Sequence, residues 1–102
     1  MGPIPKPVPR IRDPEAVQRK TAGQSCRICG RPASDGHHIV LRSKGGDDVE
    51  DNIIPLCHQH HMEYHAGVER RLKLTLEEFQ YVIRKLGRKP GLEYMRKRRL
   101  TK

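Results

Sequence analysis

Tryptophan is absent from this chain of 102 residues, phenylalanine occurs once, and aromatic residues together make up 4%. With only 34% hydrophobic residues, so short a chain buries too little apolar surface to offset its ordering entropy comfortably. Small domains of this kind usually add disulfides or a metal. No apolar run is long enough for a signal peptide or a membrane span. Cysteine is scarce and odd in number: there are three, and Cys26 and Cys29 form a Cys-x-x-Cys pair. In a chain without a secretory signal that pattern favours metal binding over disulfides, and the expected compartment is a reducing cytoplasm. The length allows one domain with a flexible end or two.

What the chain does have is positive charge, unevenly spread. Residues 1–25 carry five Lys and Arg against two Asp and Glu, residues 26–65 four against six, and residues 66–102 twelve against four, for a net +9. All three cysteines and all six histidines lie in the acidic middle block. A centre rich in metal-ligand types between two basic arms suits a polyanion held on both sides of a metal site.

The first dozen residues alternate proline with other types (Pro3, Pro5, Pro7, Pro9) and carry Lys6, Arg10 and Arg12, which predicts an extended basic arm. Asp13-Pro14-Glu15 is a helix start, predicting a short helix through about Lys20. Residues 24–36 read as a metal knuckle and loop, His38–Arg42 as a strand, Ser43–Asp48 as a turn and Ile53–Leu56 as a second strand. Cys57 to about Ala66 is helical in spacing, with Gly67 as its cap. Thr75 and Glu78 form a capping-box pair ahead of a stripe of Leu76, Phe79, Val82, Ile83 and Leu86, with Gly87 and Pro90 ending that helix. A last helix over Leu92–Leu100 carries Arg96-Lys97-Arg98-Arg99, facing solvent or phosphate.

Two ligand sets separate by spacing. Cys26-x-x-Cys29 and Cys57-x-x-His60 supply the four ligands of a closed structural zinc site. Such a site contributes on the order of 10 kcal/mol to folding, which supplies what the thin core lacks. His61 and His65 stand four apart, so on a helix they project from one face toward a shared ion. His37 and His38 are adjacent on a strand and point to opposite faces, so one can bind a metal while the other reaches a water to be deprotonated. On spacing alone the same stretch also reads as surface histidine or an incidental chelator.

The run Cys26-x-x-Cys29, His37-His38-Ile39, Gly45-Gly46, Glu50-Asp51-Asn52, Leu56-Cys57-x-x-His60-His61 and His65 closely resembles the motif of the HNH endonucleases, over about 40 of the 102 residues. The resemblance implies an α+β fold with a ββα-metal core (a short antiparallel hairpin plus a helix), a structural zinc and flanking helices. The corresponding division is a basic arm and short helix over residues 1–22, the core over 23–68 and a basic helical extension over 69–102. It implies that His37 is a ligand of the catalytic ion and His38 the general base. Asn52 either braces the loop bearing the base or helps hold the metal, and His61 is a further ligand. The added His65 is similar to the arrangement in colicin DNases, where two helix histidines and one of a strand pair hold the ion. The zinc-bearing members usually have cysteine where this chain has His60, which is expected to substitute, with His58 and His61 adjacent in register.

The implied activity is hydrolysis of DNA phosphodiester bonds, leaving 5′-phosphate and 3′-hydroxyl ends, by nicking in a monomer or across both strands in a weak dimer. Three imidazoles suit Zn, Ni, Co or Mn better than Mg. Arg42 and Lys44 either contact phosphate or are solvated loop charges, and the C-terminal cluster binds backbone without reading sequence. By analogy, the size fits a phage or mobile-element enzyme in a bacterial cytoplasm, beside packaging or recombination proteins. Two rival readings are a non-catalytic zinc-stabilised module that binds nucleic acid or protein, and an RNase or broad nuclease toxin.

Overall fold

Asp13 opens the first helix: its carboxylate accepts the Ala16 N–H at 3.3 Å and Pro14 occupies the first turn, where no amide donor is needed. Helix α1 then runs Pro14–Thr21. A computed structural model describes residues 10–67 and 71–102. The prolines and Lys6 of the basic arm lie outside the described residues, as does residue 68, where the core was expected to end.

The hairpin is β1, Asp35–His38, paired antiparallel with β2, Ile53–Leu56, with His37 opposite Ile54 and His38 opposite Ile53. The first strand was expected over His38–Arg42 and lies three residues earlier. The reason is Asn52. The Ile39 N–H still donates to the Asn52 carbonyl at 2.8 Å, but Val40 then gives its N–H to Asn52 Oδ1 (2.8 Å) and takes Asn52 Nδ2 on its carbonyl (3.1 Å). A side-chain amide thus replaces the partner strand. Ile39 and Val40 are fully buried all the same, so an apolar run that reads as a strand is a buried loop. Gly46 closes that loop where a Cβ would fall 1.7 Å from the Val40 carbonyl oxygen, which only glycine avoids. Pro55 costs no ladder bond in a two-stranded sheet, where every strand is an edge.

Helix α2, His58–His65, follows β2 directly and gives the ββα order. Next come β3 (Leu72–Lys73), α3 (Leu76–Leu86), α4 (Arg88–Lys97) and β4 (Leu100–Thr101), with β4 parallel to β3, a pairing the sequence did not announce. The Thr75–Glu78 capping box is present. Gly87 ends α3, but Pro90 does not: it sits in the first turn of α4, where proline is tolerated, so the last helix starts at Arg88 rather than Leu92. The stripe of α3 is also rotated. Val82 is buried, yet Leu76 is 52% exposed, and Glu78 and Tyr81 face inward instead. Polar anchors set that rotation. Tyr81 donates its hydroxyl to Asp47 Oδ2 at 2.7 Å, and Glu78 pairs with both guanidinium nitrogens of Arg27 and with Lys20.

The core joins Ile39, Val40, Ile54, Leu56 and Tyr64 to Leu72, Leu74, Tyr81, Val82, Met95 and Leu100, so the C-terminal helices pack on the hairpin and α2. Tyr94 accepts the Leu41 N–H at 3.2 Å and donates to the Ile39 carbonyl at 2.7 Å, pinning the loop after β1 from the far side.

Candidate metal centres and catalytic groove

The turn at Cys26–Cys29 and the start of α2 bring Cys26, Cys29, Cys57 and His60 together, with all four ligand atoms within 4.8 Å of one another. Cys29 and Cys57 sulfurs stand 3.8 Å apart, and His60 Nδ1 lies 3.2 Å from Cys57 Sγ and 3.7 Å from Cys26 Sγ. A tetrahedral zinc with bonds of ~2.3 Å to sulfur sets its thiolates about 3.8 Å apart. The donor set fits that ion, and His60 is the histidine that completes it. Burial alone would raise the Cys26 thiol, but the amides of Cys57, Cys29 and Ile28 together with His60 pull it down from 9.0 to about 6, favouring the thiolate a metal needs. The Arg31 amide would lower Cys29, yet desolvation and the neighbouring Cys26 and Cys57 sulfurs drive it above its ordinary value. A cation among three crowded sulfurs relieves that repulsion.

A second group forms further along α2: the ligand nitrogens of His37, His61 and His65 also lie within 4.8 Å of one another. His61 Nε2 and His65 Nε2 are 3.0 Å apart. Two imidazoles bound to one ion at ~2.1 Å stand about 3.0 to 3.4 Å apart, so this pair already has the spacing of cis ligands. His37 comes to them from β1 with its ring 5.5 Å from His61 and 5.3 Å from His65. Its Nε2 is buried with no hydrogen-bond partner. Burial first, then the charges of His61, His65 and Arg98, push the His37 pKa down to about 3, so the ring is neutral and its lone pair free for a cation. The three donors fit a divalent transition metal.

Asp35, which the sequence reading passed over, anchors one member of this group. Its Oδ2 accepts from His61 Nδ1 at 2.8 Å and from His58 Nδ1 at 3.1 Å. A carboxylate on Nδ1 leaves Nε2 bare and aimed at the ion. The signal was an acidic residue two positions ahead of His37, legible only once the hairpin register sets Asp35 opposite Leu56, beside the start of α2. His38 points away from the cluster to Asp48, with Nε2 2.7 Å from Oδ1. Both histidines of the pair nonetheless border one open groove of about 400 Å³, together with His61, His65, Leu41 and Arg42.

The model of the family described as HNH endonuclease matches residues 26–67, a span that holds both ligand groups. The chain belongs to the HNH endonuclease family. The protein YdfU of Escherichia coli, described as uncharacterized, is 37% identical over 55 residues, covering 51% of this chain and 16% of its own length. Anaredoxin of Nostoc sp. is 34% identical over 56 residues, covering 53% of this chain and 70% of its own. The chain therefore spans about a sixth of the first of these relatives and over two thirds of the second. No solved structure matches it.

Within the HNH segment the two roles left open for Asn52 separate. Asn52 is fully buried, with Oδ1 on the Val40 N–H and Nδ2 on the carbonyls of Val40 and Asp47 (2.9 Å). Its amide is spent on backbone, so it braces the loop and is not a ligand. Arg42 is exposed at the groove of the HNH core, and Lys44 is exposed on the following turn. The run at the end of α4 is divided. Arg96 and Lys97 face solvent, whereas Arg98 and Arg99 are half-buried with their guanidinium carbons 5.9 and 4.8 Å from the centroid of the Tyr64 ring. Stacking on an aromatic face draws both in against Tyr64, whose ring packs in turn on His37. Among the described residues no helix is long and apolar enough to cross a membrane.

Proposed function

We propose that this chain is a metal-dependent DNA endonuclease that hydrolyses phosphodiester bonds, with His38 as general base and one strand nicked per site. The carrying observation is the convergence of His37, His61 and His65 on one point, with a buried Nε2 of His37 otherwise unpartnered, while the adjacent His38 faces the same groove. His37, His61 and His65 would hold that cation, which would supply Lewis-acid charge at the scissile phosphate. Imidazole donors favour Zn, Ni, Co or Mn over Mg, and Asn52 offers no additional oxygen. His38 accepts the proton of the attacking water. Arg42, at the groove, and Arg98, beside Tyr64, would steady the phosphate in this reading, and Lys44, Arg96, Lys97 and Arg99 would add backbone contacts that read no sequence.

The test is a supercoiled-plasmid assay across divalent metals with His38→Ala alongside. Nicking by the wild type, lost in His38→Ala with two metals still bound per chain, supports the assignment. Full activity in the variant removes His38 from the reaction. The rival, a non-catalytic zinc-stabilised nucleic-acid-binding module, accounts for Cys26, Cys29, Cys57 and His60 but gives the second cluster no task. A single bound ion per chain at saturating metal, without nicking, favours that rival. Parallel digestion of a structured RNA separates DNA from RNA as substrate.

A further inference from the structure

The surroundings of His38 are more elaborate than a groove histidine requires. Its partner, the Asp48 carboxylate, is 4% exposed and has both oxygens engaged. Oδ1 takes His38 Nε2 at 2.7 Å and Arg10 Nη1 at 3.0 Å, and Oδ2 accepts the Asp13 N–H at 3.0 Å. The backbone around it is tied to the same N-terminal stretch: the Asp48 N–H donates to the Ile11 carbonyl at 2.8 Å, and the Ile11 N–H donates to Asp47 Oδ1 at 2.7 Å. Asn52 and Tyr81 hold this loop from beneath, through the Asp47 carbonyl and the Asp47 N–H. Asp48 is therefore fixed by elements other than the histidine it touches.

An ionised carboxylate only accepts hydrogen bonds, so a proton shared with it sits on the imidazole. Burial alone would raise Asp48, yet His38, the Asp13 amide and Arg10 together hold it down at about 2. Hence the nitrogen of His38 that faces Asp48 is the donor, and in the neutral ring Nδ1 is the nitrogen left with a lone pair.

We propose that Asp48 is a positioning residue of the hydrolysis, holding His38 through Nε2–H so that Nδ1 is the atom that takes the proton of the attacking water. The catalytic half of this rests on the nuclease reading above; the tautomer does not. In the step, the Nδ1 lone pair takes one proton from water and Nε2–H stays on Asp48, whose charge steadies the imidazolium. The hydroxide oxygen bonds to phosphorus, and the bond from phosphorus to the 3′ oxygen breaks, with its electron pair leaving on that oxygen. Residues 10–13, outside the matched HNH segment, thereby become part of the support of the base.

The experiment is a long-range proton–nitrogen correlation spectrum of the imidazoles in the full-length, zinc-loaded, nitrogen-15-labelled chain at mildly alkaline pH, with His38 assigned by difference from His38→Gln. The expected wild-type signal is a single Nε2–H tautomer. In Asp48→Ala the ring should become a tautomer mixture. Its nicking kcat should fall by about 10- to 100-fold, less than the ~10²- to 10⁴-fold a general base itself contributes, with KM for plasmid and the two bound metals unchanged. Asp48→Asn keeps an oxygen that accepts from Nε2–H, so it should retain the tautomer and restore part of kcat. An Nδ1–H tautomer in a wild-type chain that nicks overturns the role of Asp48, as does wild-type kcat in Asp48→Ala. The wild-type spectrum decides the tautomer even if the alanine variant fails to fold. Absence of nicking by the wild type in every metal overturns the nuclease reading instead, whatever the tautomer.

Discussion

Replacing Asp35 by asparagine should weaken the second metal centre and leave the first alone. The carboxylate receives Nδ1 of His61 at 2.8 Å and Nδ1 of His58 at 3.1 Å, and is not part of the Cys26, Cys29, Cys57 and His60 group. Asparagine is nearly isosteric but neutral, so the ring loses its anchor for the tautomer that bares Nε2 and the ion loses a nearby negative charge. Second-shell changes of this kind cost about 10- to 100-fold in metal affinity, which corresponds to about 1.4 to 2.7 kcal/mol. Fold stability should change by less than ~1 kcal/mol, because Asp35 is only partly buried and its backbone pairing with Leu56 is untouched. The assay is cobalt titration of the protein with zinc already in the cysteine site, followed by ligand-field absorption of the nitrogen-bound ion. The same titration of His61→Ala marks the loss of a direct ligand. If Asp35→Asn binds the second cobalt as tightly as the wild type, the claim that Asp35 orients His61 for a metal is wrong.

Three further outcomes are expected. Asn52→Ala leaves the Val40 N–H and the carbonyls of Val40 and Asp47 without partners in the interior, which should cost about 3 kcal/mol in denaturant unfolding and abolish nicking even where the protein stays folded. Glu78 is 1% exposed between Arg27 and Lys20, and Glu78→Gln should lower stability at neutral pH by about 3 kcal/mol. Burial would raise the Glu78 pKa, but Arg27, the Thr75 amide and Lys20 hold it below 4.5; the stability it contributes is complete above 4.5 and lost as pH falls through the depressed value, so the gap between wild type and Glu78→Gln should close on acidification. Arg98→Ala should reduce nicking more than Arg96→Ala does, since of these two residues Arg98 stacks on Tyr64 and Arg96 faces solvent, whereas both should flatten the salt dependence of DNA binding by about one phosphate contact.

Metal ligands were the most legible part of the site because their spacing is local chemistry. Cys26 and Cys29 share one turn, and His61 and His65 share one helix face, so neither pair needs the tertiary fold to be recognised. The capping boundaries at Asp13 and Thr75 were legible for the same reason. What escaped depends on partners distant in the chain. Ile39 and Val40 have strand composition, and only the amide of Asn52, twelve residues beyond Val40, shows why they leave the sheet. The stripe of α3 reads as apolar, yet Tyr81 and Glu78 turn it toward Asp47 and Arg27. Nothing in the sequence singles out Asp35 or Asp48, yet each is the partner of a histidine on the groove. Carboxylates that work through another side chain carry no spacing rule of their own.

One helix serves both metal sites. Cys57, its N-cap, and His60 belong to the group that could hold zinc, and His61 and His65 to the three-histidine group. The dependence this creates runs one way. A hairpin with four-residue strands is marginal by itself, so stripping a metal from the cysteine group should loosen the start of the helix that carries His61 and His65, while emptying the histidine group should leave the cysteine group closed. On the proposed reading, metal loading of the cysteine group would therefore have to precede assembly of the histidine group.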